Sequence, residues 1–281
     1  MLTASHLTIC GSLPRVASPM RFAARAIAAQ SAGFDAMSLT ALEFQRELDE
    51  GATPSELRSV ADDAGIVVDE VEFLVDWTRD GEPGRAARAR EATLYAMADA
   101  FGSTRLHVGE FDEVGPLPPF DAVAESFGGL CDRAADHGLR VGLEFVPYSP
   151  IASLSDALAI VTTAGRANGG VVIDTWHCDR AGVSLETLSA VDPALVVSIQ
   201  LADAGPLEGS IREDTIHRRL PPGEGSIDVG GYLRALARCG AAGVPVDVEI
   251  VSDAQRALPL PDAAARAAQA GREALAKGWK T

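Results

Sequence analysis

The sequence predicts a single (β/α)8 barrel spanning residues 1–281, and three observations carry that prediction. Eight short runs rich in Val, Ile and Leu alternate with Ala- and Arg-rich segments of helical period at a nearly constant interval. Several of these runs are apolar on both faces, the pattern of parallel strands covered by helices. The length, 281 residues, suits eight strand–helix units, and right-handed crossovers would make every strand parallel. An open doubly wound sheet would place a Gly-rich phosphate loop after its first strand, and "CGSLPR" is a poor one.

In chain order the strands are expected in "HLTICGS" (6–12), "FDAMSLT" (34–40), "IVVDEVEFLV" (66–75), "TRLHVGE" (104–110), "RVGLEFV" (140–146), "GGVVIDTW" (169–176), "VVSIQLAD" (196–203) and "PVDVEIVS" (245–252). A helix-like segment follows each. Ser18-Pro19, Thr53-Pro54 and Ser155-Asp156 read as helix starts, because short polar side chains satisfy free N–H groups and proline tolerates the first turn. Gly33, Gly65, Gly102 and Gly138 read as helix stops. No linker divides the chain.

Composition sets the context. A hydrophobic content of 47% supports a sizeable core, and no apolar run is long enough to span a bilayer. The start, "MLTASHLTICGSLP", shows no charged leader or long apolar stretch, so no secretory signal is expected. Cys10, Cys131, Cys178 and Cys239 lie far apart, which argues against a zinc knuckle or disulfide framework and for a reducing cytoplasm. A formal charge of −16 disfavours nucleic acid. A small-molecule substrate is the expected partner, no membrane partner is expected, and a homo-oligomer stays open.

In a barrel, the C-terminal ends of the strands face one shared pocket. Strand five ends at Glu144 in "GLEFVP", strand six at Asp174 in "VVIDTWH", strand seven carries Gln200 in "SIQLAD" and strand eight carries Glu249 in "VDVEIV". A lone carboxylate inside an apolar run is costly unless paired or bound to a cation. Four oxygen donors on consecutive strands form a hard set that suits one divalent cation, Mn²⁺ or Mg²⁺ before Zn²⁺, with Co²⁺ also admitted. Trp77, Phe145, Tyr148 and Trp176 near strand ends hint at an aromatic wall, although each is also an ordinary core residue.

Through "LEF", "DTWH", "QLAD", "RRLPPGEGSID" and "VEI", the chain resembles the sugar isomerase/epimerase superfamily of xylose isomerase-like barrels. The resemblance implies metal ligation by Glu144, Asp174, Gln200 and Glu249, with Glu144 and Glu249 doubling as the acid/base pair. It implies that His177 holds a substrate oxygen and that Arg218 or Arg219 grips substrate oxygens; Trp176, of the aromatic wall, is expected to contact substrate. Many relatives carry histidine where this chain has Gln200, and the hydroxypyruvate isomerase branch is similar in using glutamine. The ketose 3-epimerase branch shares the barrel. The apurinic endonuclease branch needs more histidines than His6, His107, His137, His177 and His217 supply in one place. Asp228 is expected to cap a helix, and His217 to be exposed.

One cation between two glutamates would acidify a carbon-bound proton beside a carbonyl, so that one glutamate removes it and the other returns it. Return to the neighbouring carbon gives an isomer, and return to the opposite face gives an epimer. Loss of a β-substituent makes the enzyme a lyase or dehydratase. A barrel that binds a polyhydroxylated ligand without catalysis is a further alternative.

Overall fold

The computed structural model describes residues 1–111 and 115–279. Eight parallel strands close into one barrel in chain order: β1 (Leu2–Ala4), β2 (Ala36–Thr40), β3 (Val67–Leu74), β4 (Arg105–Val108), β5 (Arg140–Glu144), β6 (Gly169–Asp174), β7 (Val196–Leu201) and β8 (Val246–Val248). β1 closes the ring by pairing with β8, Thr3 opposite Asp247. Helices between strands cover the outside, so β5 to β7 are buried along nearly their whole length. This two-sided burial is why those strands read as nearly continuous apolar runs. No helix among the described residues is long and apolar enough to cross a membrane.

The first strand differs from expectation. β1 is Leu2–Ala4, whereas His6–Ile9 forms a short helix. A short apolar run has no decisive period, and here tertiary bonds decide: the Thr8 hydroxyl donates to the Val248 carbonyl at 2.7 Å and accepts from the Ile250 N–H at 2.8 Å.

The Thr53 cap is a full capping box with Glu56, and Gly65 and Gly102 close their helices in the left-handed conformation that glycine adopts without a Cβ penalty. Two caps sit elsewhere than expected. Ser153 caps Leu154–Ala164 two residues before Ser155, and the helix Phe22–Ser31 starts after Arg21, while the Ser18 hydroxyl donates to the Cys10 carbonyl and accepts from the Met20 N–H at 3.0 Å.

Inside the barrel, beneath its C-terminal rim, Arg105 of β4 organises a buried polar layer. Its Nε donates to Asp69 at 2.8 Å, and its Nη1 to Glu70, Ser198 and Asp247 at 2.7, 2.7 and 2.8 Å. Its Nη2 donates to Asp247 at 3.1 Å and Thr3 at 3.4 Å. A buried charge is tolerated when paired and hydrogen-bonded in this way.

Candidate active site

A strand returns to the same face every second residue, so the next inward side chains on those strands reach the rim. Glu70 is followed by Glu72, Arg105 by His107, Ser198 by Gln200 and Asp247 by Glu249. Glu144 and Asp174 end β5 and β6. All six rim residues are buried.

Asp174 also caps the helix Thr175–Arg180: its Oδ1 accepts from the N–H groups of Trp176 at 2.6 Å and His177 at 3.3 Å. The turn thereby aims His177, whose Nε2 lies 3.1 Å from Glu144 Oε1 and 3.6 Å from Asp174 Oδ2. Glu144, Asp174 and His177 each offer a ligand atom, all within 4.8 Å of one another, a group that could hold a metal ion. Glu249 Oε1 accepts from Ser5 Oγ at 3.1 Å and from Gln200 Nε2 at 3.2 Å. Gln200 Oε1 is buried and has no hydrogen-bond partner among the described residues.

The loop after β7 supplies the cation of the site. Leu220 and Asp203 exchange backbone hydrogen bonds of 2.7 and 2.9 Å, and the Arg219 N–H donates to the Val251 carbonyl at 3.3 Å. The Asp203 carboxylate accepts the N–H groups of Gly223 and Ile227, both at 2.9 Å. A Cβ on Gly225 would fall 2.3 Å from Asp203 Oδ1, so this turn requires glycine there. The result is a guanidinium driven inward. Arg219 Nη1 lies 2.7 Å from Asp174 Oδ2 and 3.1 Å from Glu249 Oε2, while Nε and Nη2 donate to Thr215 Oγ1 at 3.0 and 2.8 Å.

This resolves the arginine pair: Arg219 enters the site, whereas Arg218 is exposed and donates to the Glu208 carbonyl. Arg218 closes the helix Ile211–His217 with its backbone at φ −130° and ψ 7°, and the chain turns there, so the two neighbouring side chains leave in different directions. Trp176 is fully buried 4.9 Å beneath the Arg219 guanidinium, with its Nε1 donating to Asp214 at 3.1 Å. It supports Arg219 and does not line the cavity, which corrects its expected contact with substrate.

The cavity above the rim measures about 850 Å³. Glu72, His107, Glu144, His177, Arg219 and Glu249 line its polar floor, and Asp174 and Gln200 lie outside the lining. Of the four expected wall aromatics only Tyr148 lines it. Trp77, Phe145 and Trp176 belong to the core, and Phe73 and Phe111 take the wall instead. Phe111 stacks on Tyr148 with centroids 6.2 Å apart. His217 is partly exposed beside Asp253 at 3.1 Å, and Asp228 caps the helix Val229–Cys239.

The charges pull the carboxyls apart. Burial raises Glu144, but His107 at 3.4 Å and His177 outweigh it and hold this carboxyl far below its ordinary range. Burial, opposed by Arg219 and reinforced by the Glu144 and Asp174 carboxylates, pushes Glu249 up to about 7. Burial and neighbouring Glu70 push Glu72 up to about 8. Burial disfavours a charged His107, yet Glu144 and Glu70 lift it well above the ordinary 6.5. Sequence reasoning missed Glu72 and the Arg105 layer; the polar residues at alternate positions in "DEVE", "RLH", "SIQ" and "DVE" were the available signal.

A closed parallel barrel whose C-terminal rim gathers carboxylates, an amide and imidazoles over an open cavity has the layout of a barrel enzyme's active site. The chain belongs to the xylose isomerase-like TIM barrel family, whose model matches residues 26–277. It is 26% identical over 236 residues to a 3-dehydroshikimate dehydratase of Pseudomonas aeruginosa, a match covering 82% of this chain and 36% of that enzyme. It is 33% identical over 125 residues to an inosose isomerase of Bacillus subtilis, covering 43% of each. The matched part thus spans less than half the length of either relative. In fold it is similar to the IolI protein with a bound zinc atom, with a TM-score of 0.87 at 19% identity over 100% of this chain and 99% of that one. It is also similar to a D-psicose 3-epimerase of Clostridium cellulolyticum with D-tagatose, with a TM-score of 0.73 at 15% identity over 98% and 99% of the two chains.

Proposed function

We propose that the protein is a divalent-metal-dependent isomerase or epimerase that enolises a hydroxy-carbonyl substrate, carbohydrate-derived and met in the cytoplasm. The observation that carries this reading is the convergence of Glu144 and Asp174, whose ligand atoms lie within 4.8 Å of one another, with Glu249 joined to Asp174 through Arg219 and to Gln200, whose Oε1 has no hydrogen-bond partner among the described residues. A buried amide oxygen without a donor beside several carboxylates suits a hard cation, so Glu144, Asp174, Gln200 and Glu249 would hold it. Mn²⁺ or Mg²⁺ fits this oxygen set, with Co²⁺ and the Zn²⁺ of the IolI relative as further candidates to test. When bound, such a cation supplies Lewis acidity at a substrate carbonyl and its neighbouring hydroxyl.

The protein's own groups do the rest. Glu144 and Glu249 both face the cavity, and one would remove the proton beside the carbonyl while the other returns it. His177 and Arg219, both on the cavity floor, hold substrate oxygens. His107 keeps Glu144 in place from the β4 side.

The same first step can end in water loss, and one finding favours that second reading: the dehydratase match runs over 82% of the chain, against 43% for the inosose isomerase. Elemental analysis of purified protein should give close to one divalent ion per chain. Incubation with inosose or 3-dehydroshikimate in D₂O should place deuterium beside the carbonyl only when metal is present. Glu144→Gln, Asp174→Asn and Glu249→Gln should lose metal, and Glu144→Gln and Glu249→Gln should lower exchange by about 10²–10⁴-fold. Wild-type metal affinity in all three variants would overturn the assignment.

A further inference from the structure

One buried carboxyl on the cavity floor has no part in that chemistry. Glu72 ends the polar series of β3, is 3% exposed, and lines the same cavity as Glu144 and Glu249. In a closed ring of eight strands β3 stands opposite β7, so Glu72 reaches the floor from the wall facing Gln200 and the β5–β8 carboxylates. Its surroundings also differ from theirs. Asp174 and Glu249 share the Arg219 guanidinium and Glu144 is flanked by two imidazoles, whereas Glu72 Oε1 accepts from the Ser38 hydroxyl and Oε2 lies 3.8 Å from His107 Nδ1, beyond hydrogen-bond reach. Among the described residues no arginine or lysine pairs with it.

We propose that Glu72 is a further catalytic residue, the general acid that protonates a hydroxyl leaving from the carbon next to the enolised one, which makes this site a dehydratase. The inference rests on the enolising reading and selects its second outcome. Isomerisation and epimerisation need only the two glutamates beside the metal position, whereas elimination needs a proton donor at a second point on the substrate. Burial and the Glu70 carboxylate, opposed by His107 and reinforced by more distant Glu249, push Glu72 up to about 8, so it carries a proton at neutral pH.

The step balances. Glu144 or Glu249 takes the carbon-bound proton, that C–H electron pair becomes the new C=C bond, and the C–O bond to the neighbouring hydroxyl breaks. The departing oxygen takes the Glu72 proton and leaves as water. Glu72 regains a proton from solvent as the base releases its own, so the net change is hydroxy-carbonyl to unsaturated carbonyl plus water.

The test uses metal-loaded protein with 3-dehydroshikimate in D₂O, following product formation by absorbance and deuterium in the remaining substrate by NMR. Wild-type protein should release the unsaturated product. Glu72→Gln should lower product formation by about 10²-fold or more, while deuterium still enters the substrate and metal content stays near one ion per chain. Should that variant not fold, Glu72→Ala with added formate provides the second arm: formate should restore water loss in the variant and have no effect on wild type. Product formation at the wild-type rate in Glu72→Gln overturns the proposal, as does a loss of exchange equal to the loss of product. Exchange without water loss in wild type overturns the role of Glu72 and leaves the enolising reading standing. Neither exchange nor water loss in wild type overturns that reading, and Glu72's role with it.

Discussion

Two polar layers lie two residues apart on the same four strands, and their fates differ. The lower one is built from Glu70, Arg105, Ser198 and Asp247, the upper one from Glu72, His107, Gln200 and Glu249. In the lower layer one guanidinium serves three carboxylates and two hydroxyls, and all its members are buried. In the upper layer Gln200 Oε1 and both nitrogens of His107 have no hydrogen-bond partner among the described residues, and an 850 Å³ cavity opens above. Saturated hydrogen bonding leaves a buried polar group nothing further to bind, whereas an unserved one remains ready for a ligand. The layers meet through Glu70, whose Oε1 lies 3.5 Å from His107 Nδ1 while its Oε2 accepts from Arg105.

The comparison can be broken most directly at Arg105. Arg105→Met leaves Asp69, Glu70 and Asp247 buried without their cation and should cost about 3–5 kcal/mol in urea unfolding. A cost near zero would show that the lower layer is not the structural member of the pair. Arg219→Met should have a smaller effect, about 1–3 kcal/mol in metal-free protein, because one of the two carboxylates it leaves behind, Glu249, borders an open cavity. Added divalent metal should recover most of that loss in the variant, since it neutralises the same carboxylates. Failure to recover would separate Arg219 from the metal position.

The smallest expected effect is a pH dependence at His6, which borders the cavity. Its Nδ1 lies 2.7 Å from Arg25 Nη1, and burial, with Arg25 and Arg46, holds its pKa well below the ordinary 6.5. A group whose folded pKa is depressed contributes stability above the unfolded value and loses it as pH falls. Stability should therefore decline below pH 6.5 with a slope of at most about 1.4 kcal/mol per pH unit from this group, and His6→Gln should flatten that part of the profile. An identical profile in the variant would remove His6 from the account.

The barrel was legible because helix and strand periods are local, and seven of the eight strands fall where the apolar runs lie. The upper carboxylates Glu144, Asp174 and Glu249 were legible for a related reason: a carboxylate in an apolar run signals burial that something must compensate. Glu72 was written just as plainly in "DEVE", but alternation alone does not say which face of a strand points into the barrel. The exception among the strands, His6–Ile9, took helical form through bonds to Val248 and Ile250, more than 200 residues away in sequence.

By itself, then, the sequence determined the repeat, the strand ends and the kind of atoms gathered there, since all of these follow from residue type and short-range spacing. Only the tertiary structure decided that Arg219 and not Arg218 enters the site, that Trp176 lies beneath it, and that Phe73 and Phe111 form the wall. Those outcomes depend on which way a side chain points once strands from opposite ends of the chain close the ring, and closure is a contact between residues that no local spacing relates.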